Sequence, residues 1–252
     1  MIVSHFYFFI LIKCFVLYLI KFLPEVKFAA YLYILIGITE VAAECTQHGM
    51  IRYITKPLLM PALVAFYILS LTGSPTRADR LMIAAWFFSW IGDIVLMLAG
   101  ADRGYFLLGL VSFLVTHILF AIAFMMVRDR SATPILKSKP WILIPLMAYL
   151  AGLMSLVFPV LGIDMRIPVV IYAIVIGTMI VFALNRYKRV GDSSFALVFG
   201  GVLLFMFSDS LIAVNKFLCQ GTLSMAGVGI MALYIAGQYL IARGMLRNEK
   251  PE

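Results

Sequence analysis

From about residue 27 to about residue 243, the chain never runs further than a loop's length without another apolar stretch long enough to cross a bilayer. Eight such runs fall at about 27–45, 57–71, 80–99, 104–127, 140–159, 167–186, 194–217 and 225–243. The hydrocarbon core is about 30 Å thick, which takes roughly 20 residues of helix. Lipid offers no partner to a backbone N–H or C=O, so each run must satisfy its own groups as an α-helix. The expectation is an all-α fold, a polytopic transmembrane helix bundle with eight core spans. The chain is 64% hydrophobic and 13% charged. A soluble domain is about half apolar and a quarter charged. No long polar stretch remains for a soluble domain.

The breaks between runs carry turn chemistry. "TGSPTRADR", "RDRSATPILKSKP" and "NRYKRVGDSS" are rich in turn residues and basic. "TKPLLMP" reads as a helix start, with proline near the first turn. The run it opens, 57–71, is short for a bilayer and calls for an extension or a tilt. Residues 1–26 form a further hydrophobic segment with Lys13 inside it and no basic residue before it, unlike a cleaved signal peptide. It reads as an extra N-terminal helix, followed by a membrane domain over 27–245 and a short tail over 246–252.

The net charge of +8 concerns topology and lipid surfaces. Its cations are scattered among short loops, so no nucleic-acid partner is expected. Counted on alternate sides, Lys and Arg number about 14 on the side of residues 128–139 and about 5 on the other. That bias puts the first side, and the C-terminus, in the cytoplasm, and nine spans would put the N-terminus outside. Cys14, Cys45 and Cys219 show no metal spacing and read as free, buried thiols. His5, His48 and His117 are too dispersed for a three-His zinc site, so neither metal nor cofactor is expected.

Two runs carry a carboxylate in an apolar setting: Asp93 in "FSWIGDIVLML" and Asp209 in "LFMFSDSLIAV". An intramembrane Asp costs about 2.5–3.5 kcal/mol on insertion scales and commonly faces a protein interior or a wet cavity. Both helices run outward from the cytoplasm. At about 1.5 Å per residue, Asp93 lies roughly 20 Å and Asp209 roughly 22 Å along them, a matched depth in the outer half. Glu40 sits at similar depth on a third parallel helix, and His117 near mid-membrane on an antiparallel one. The expectation is that Asp93 and Asp209 face a common interior cavity. Acids crowded in an apolar pocket cannot all ionise, so one stays protonated beside a charged partner, which is an acid/base pair. The structural alternative has each acid satisfied by a neighbour such as Ser89, Ser208, Ser210 or Asn215. "WIGD" and "MFSD" recur four spans apart, as a parallel duplication of four helices would produce. Tyr234 and Gln238, one turn apart on the last helix, read as interhelical hydrogen-bonding or pocket residues. Lys56 and Arg52 lie at the outer mouth, as interface anchors or as phosphate contacts.

Five segments in order, "KPLLMP" (56–61), "FFSWIGDIVLML" (87–98), "FLLGLVSFLVTHILFAIAF" (106–124), "MFSDSLIA" (206–213) and "YIAGQYLI" (234–241), resemble the YhhN-like family. The resemblance covers about residues 30–243, and the first segment lies outside that family's eight-span pattern. It implies a lysoplasmalogenase-like hydrolase that cleaves the vinyl ether bond of a single-chain ether phospholipid, giving a fatty aldehyde and a glycerophospho head group. It also implies that Asp93 and Asp209, in the matching motifs, are the catalytic acids.

Vinyl ether hydrolysis begins with protonation of the β-carbon, and water then adds to the oxocarbenium ion. A strong donor and a nearby carboxylate suit both steps. In that scheme Glu40 orients the pair. His117 or Gln238 holds water or the glycerol hydroxyl, Asn215 and Tyr234 assist, and Lys56 takes the head group of a lipid that slips in sideways. The rival class is a proton-coupled transporter or lipid-binding protein using the same acids.

Overall fold

The computed structural model describes residues 25–99, 103–129 and 131–247. The segment expected to form an extra N-terminal helix, apart from its last residues, and the end of the tail lie outside them. Eight long helices follow one another: α1 (Glu25–Cys45), α2 (Gly49–Leu69), α3 (Arg77–Ala99), α4 (Arg103–Met126), α5 (Ile144–Val157), α6 (Ile163–Leu184), α7 (Asp192–Ala213) and α8 (Ala226–Leu246). A one-turn helix, Ile135–Ser138, and short 3₁₀ turns lead into and out of α5. All eight, with flanking turns, are long and apolar enough to cross a membrane. Large aliphatic side chains such as Ile38, Ile163 and Ile167 point outward, as lipid contact requires and water would not tolerate. The protein is a multi-pass integral membrane protein.

Seven helices form a closed ring in the order α1, α2, α3, α4, α6, α7, α8, with α8 returning to α1. Small residues let the tightest pairs approach. At the α7–α8 crossing a Cβ on Gly201 would lie 2.7 Å from the Gly237 carbonyl oxygen, so neither position has room for a side chain. Between α3 and α4 a Cβ on Gly92 would strike the Phe113 ring at 2.7 Å. α5 stands outside the ring against α6, and Val157 is its buried residue.

The helix expected to start at the prolines starts two turns earlier, at Gly49, with Pro57 and Pro61 inside it. The turn before it is a Schellman closure of α1. Gln47 is left-handed at φ 55°, and the His48 N–H reaches the Ala43 carbonyl at 2.9 Å. Pro61 has no N–H to offer the Pro57 carbonyl four residues back. The Trp90 indole of α3 supplies it instead, with Nε1 donating to Pro57 O at 2.8 Å. The missing bond is thus replaced from a neighbouring helix, and the short apolar run gains its length at the N-terminal end.

The other end of the bundle is also tied. Thr76 caps α3 and exchanges bonds with Asp79 three residues on, a capping box that Tyr67 of α2 completes by donating to Asp79 at 2.6 Å. The Asp129 N–H donates to Arg189 O and Arg189 Nε donates to Asp129 O, both at 2.7 Å, which joins the two basic loops. Arg186 and Arg189 are buried, although their loop reads as solvated in the sequence. Cys14 lies outside the described residues, and the two described cysteines depart from the buried-thiol expectation: Cys45, at the end of α1, is exposed and Cys219 half-buried, both free. A helix end and a loop leave them no apolar interior to enter.

Candidate active site

Asp93 is 4% exposed, on the face of α3 turned to α8. The Tyr234 hydroxyl donates to its Oδ2 at 2.7 Å. Lys56 and Glu40 lie within electrostatic reach of Asp93, and so does Asp209. Glu40 is fully buried and takes the Thr55 hydroxyl on Oε2, while its Oε1 has no hydrogen-bond partner. One turn from Asp93, a chain of neutral groups crosses three helices. Trp86 Nε1 donates to Gln238 Oε1 at 3.0 Å, Gln238 Nε2 reaches Ser89 Oγ at 3.4 Å, and Ser89 reaches Thr116 at 3.3 Å. Gln238 is spent on this chain and fixes the rotation of α8 against α3.

Asp209 has a different setting. The Tyr172 hydroxyl of α6 donates to Oδ2 at 2.5 Å, and His117 Nε2 of α4 lies 3.3 Å from the same oxygen. His117 Nδ1 is 2.5 Å from the Phe113 carbonyl oxygen. A carbonyl only accepts, so that contact assigns the Nδ1 hydrogen. Nε2 is buried, makes no aligned hydrogen bond and faces the carboxylate. His117 Nε2 and Asp209 Oδ2 are thus placed to exchange a proton.

The aromatic rings of Phe113, Phe205 and Tyr234 stand between the two acids. The Phe205 ring is 5.4 Å from Tyr234 and 4.8 Å from His117. Asp209 lines two small apolar cavities of about 60 and 50 Å3, one toward Phe106 and Phe217, the other toward Leu150 and Met154. Asp93 lines neither.

The expected site residues therefore separate into two clusters and an outlier. Glu40, Lys56, Asp93 and Tyr234 gather on α1, α2, α3 and α8, and His117 meets Asp209 on α4 and α7. Asn215 sits in the π-helical turn Val214–Leu218 and accepts the Leu223 N–H at 3.2 Å, so it braces the α7–α8 loop. Neither Ser208 nor Ser210 serves Asp209. They donate to the Ile230 and Met206 carbonyls. Tyr172 was missed, although its signal matches that of the acids: a polar atom mid-run, in "PVVIYAIVIG". Thr55 was missed for the same reason. Asp93 takes Tyr234 from α8, and Asp209 takes Tyr172 from α6 and faces His117 from α4. Asp93 and Asp209 stand as far apart in sequence, to within one position, as His117 and Tyr234.

Fold and site define a class: a polytopic membrane protein with buried carboxylates and a histidine among its spans, beside apolar cavities. The chain belongs to the YhhN family, whose model matches residues 51–245. It is 35% identical over 168 residues to the lysoplasmalogenase TMEM86A of Bos taurus and 32% identical over 168 residues to that of Homo sapiens. Each alignment covers 65% of this chain and 64% of the relative, so the chain spans a little under two thirds of the proteins it resembles. No solved structure matches it significantly.

Proposed function

We propose that the protein hydrolyses the vinyl ether bond of lysoplasmalogens within the membrane. The reaction consumes one water and yields a fatty aldehyde and a glycerophospho head group with a free hydroxyl. The observation that carries the reading is Asp209, buried beside His117 and Tyr172 and open to apolar cavities, in a chain whose relatives bear the name lysoplasmalogenase.

The proton held between His117 and Asp209 goes to the β-carbon of the vinyl ether, and positive charge develops on the carbon next to oxygen. Tyr172 holds the carboxylate by its hydroxyl. Having given up its proton, the His117–Asp209 pair takes one from the attacking water. Asp93, bonded by Tyr234 and set behind the Phe113, Phe205 and Tyr234 rings, acts on the oxocarbenium ion through its charge alone. The hemiacetal then collapses: the His117–Asp209 pair gives the proton taken from water to the departing glycerol oxygen and recovers the hemiacetal hydroxyl proton, which returns the site to its starting state. Lys56 and Glu40 set the electrostatic surroundings of Asp93.

The test is aldehyde release from a lysoplasmalogen by protein purified in detergent. Stoichiometric aldehyde and head group, absent with Asp209→Asn, support the reading. No aldehyde from active-folded protein, together with proton-gradient-driven solute uptake into proteoliposomes, would replace it with a transporter.

A further inference from the structure

Between α5 and α6 runs an apolar groove of about 790 Å3. That falls in the range of about 300–1,000 Å3 typical of ligand pockets. Leu146, Leu150 and Met154 line one wall, and Val170, Ala173 and Phe182 the other. Two hydroxyls face it, and both are already satisfied within their own helices. Ser155 donates to Gly152 O at 2.7 Å and Thr178 to Ile174 O at 2.8 Å. An occupant therefore needs no polar group and would gain nothing from one. α5 buries only Val157 and lies outside the ring, so the groove opens sideways to the bilayer rather than to water.

The groove adjoins the site. Leu150, Met154 and Ala173 line both it and the 50 Å3 cavity that reaches Tyr172 and Asp209, so these side chains are the partition between the two. On the far side of Asp209, the 60 Å3 cavity continues to Phe106 and Phe217, at the end of the bundle where α3 joins α4. A cation stands over a ring at each mouth: Arg166 Cζ lies 5.1 Å from the Phe158 ring, which lines the groove, and Lys216 Nζ lies 5.2 Å from the Phe106 ring beyond the far neck. The order along the path from the groove is apolar groove, narrow neck, acid, narrow neck, Lys216. A single-chain phospholipid has the same order: chain, first chain carbons, glycerol, phosphate. The necks, each about the volume of two waters, leave no room for a second chain.

We infer that the α5–α6 groove is the chain-binding site for a single-chain ether phospholipid that arrives laterally from the bilayer. Its first chain carbons lie at Asp209, and its phosphate end points toward Lys216. The inference rests on the proposed hydrolase reading for the identity of the lipid, and the groove can be tested apart from turnover.

Thr178 and Ser155 are exposed on the groove walls, so Thr178→Trp and Ser155→Trp fill it from a lipid-facing position without touching Asp209. The first measurement is photolabelling in detergent with a non-cleavable alkyl lysophospholipid carrying a diazirine at the chain end. Peptides of α5 and α6 should be labelled, the tryptophan variants should lose that label, and a diazirine-bearing two-chain phospholipid should not compete. The second is hydrolysis of long-chain and short-chain lysoplasmalogens. Each variant should lose roughly tenfold or more in kcat/KM on the long chain while keeping its rate on the short one. Labelling of α5 and α6 without any hydrolysis upholds the groove and sinks the hydrolase. Hydrolysis with the label elsewhere, or equal labelling by the two-chain lipid, overturns the groove.

Discussion

The two aspartates differ in what they hold, and substitution should expose it. Asp93→Asn and Asp209→Asn keep shape but can neither carry the charge nor hand over the proton. Each should abolish aldehyde release in protein that still folds, and the double variant should be no worse than either alone, because the groups act as a unit. Near-normal turnover by either variant would remove that residue from the chemistry. Wild-type rate should be bell-shaped in pH, since one form of the site donates a proton while the other stays charged. A residue outside the spans makes a separate point. Arg186 is fully buried with Ser194 Oγ and Met245 Sδ as its partners, and no carboxylate among the described residues pairs with it. Burial pushes its guanidinium from the ordinary arginine range down to about 10. The unfolded chain therefore holds that proton more tightly than the folded one. Charged Arg186 costs stability at neutral pH, and the cost fades as pH climbs past 10 toward the ordinary value. Arg186→Met keeps the packing, and Ser194 keeps its bond to Gly244 O at 2.7 Å. Its Tm in detergent should equal or exceed wild type near pH 7, with the advantage shrinking above pH 10. A sharply lower Tm would show that the cation stabilises the fold.

At the scale of the element, α2 is a helix that depends on another helix. Trp90→Phe strands the Pro57 carbonyl in an apolar setting and should cost about 1–3 kcal/mol. Pro61→Ala restores the N–H that the carbonyl lacks. In that background Trp90→Phe should cost much less, and the two changes should be non-additive in a double-mutant cycle of detergent Tm. Equal losses in both backgrounds would mean that Trp90 acts by packing alone. The geometry matters to the site because α2 carries Thr55 and Lys56, one helix away from Asp93.

For the whole molecule, the joined basic loops lie at one end, and the charge bias predicts that this end faces the cytoplasm. Cys45 is exposed at the opposite end, at the α1–α2 turn. An impermeant maleimide should label it in intact cells, and should miss cysteines introduced by Ser131→Cys or Glu252→Cys until the membrane is opened. Labelling of either from outside would turn the bundle over and place both acids nearer the cytoplasm.

The sequence by itself determined the number of described spans, their all-helical character and the acids that stand out in them. Each of these follows from a one-dimensional quantity: a run of apolar residues either reaches across a bilayer or it does not, and a carboxylate within it needs a partner. The start of α2 escaped because proline reads locally as a helix breaker, whereas the lost bond is replaced by Trp90 from a distant stretch of chain. The buried arginines escaped because a basic loop looks solvated until other loops fold over it. The partners of the acids escaped for a deeper reason. These helices are apolar on every side, so their periodicity does not say which face turns inward. The rotation of each helix, and with it the meeting of Asp93 with Tyr234 and of Asp209 with His117 and Tyr172, is decided only by packing, at contacts such as Gly201 on Gly237 and Gly92 on Phe113.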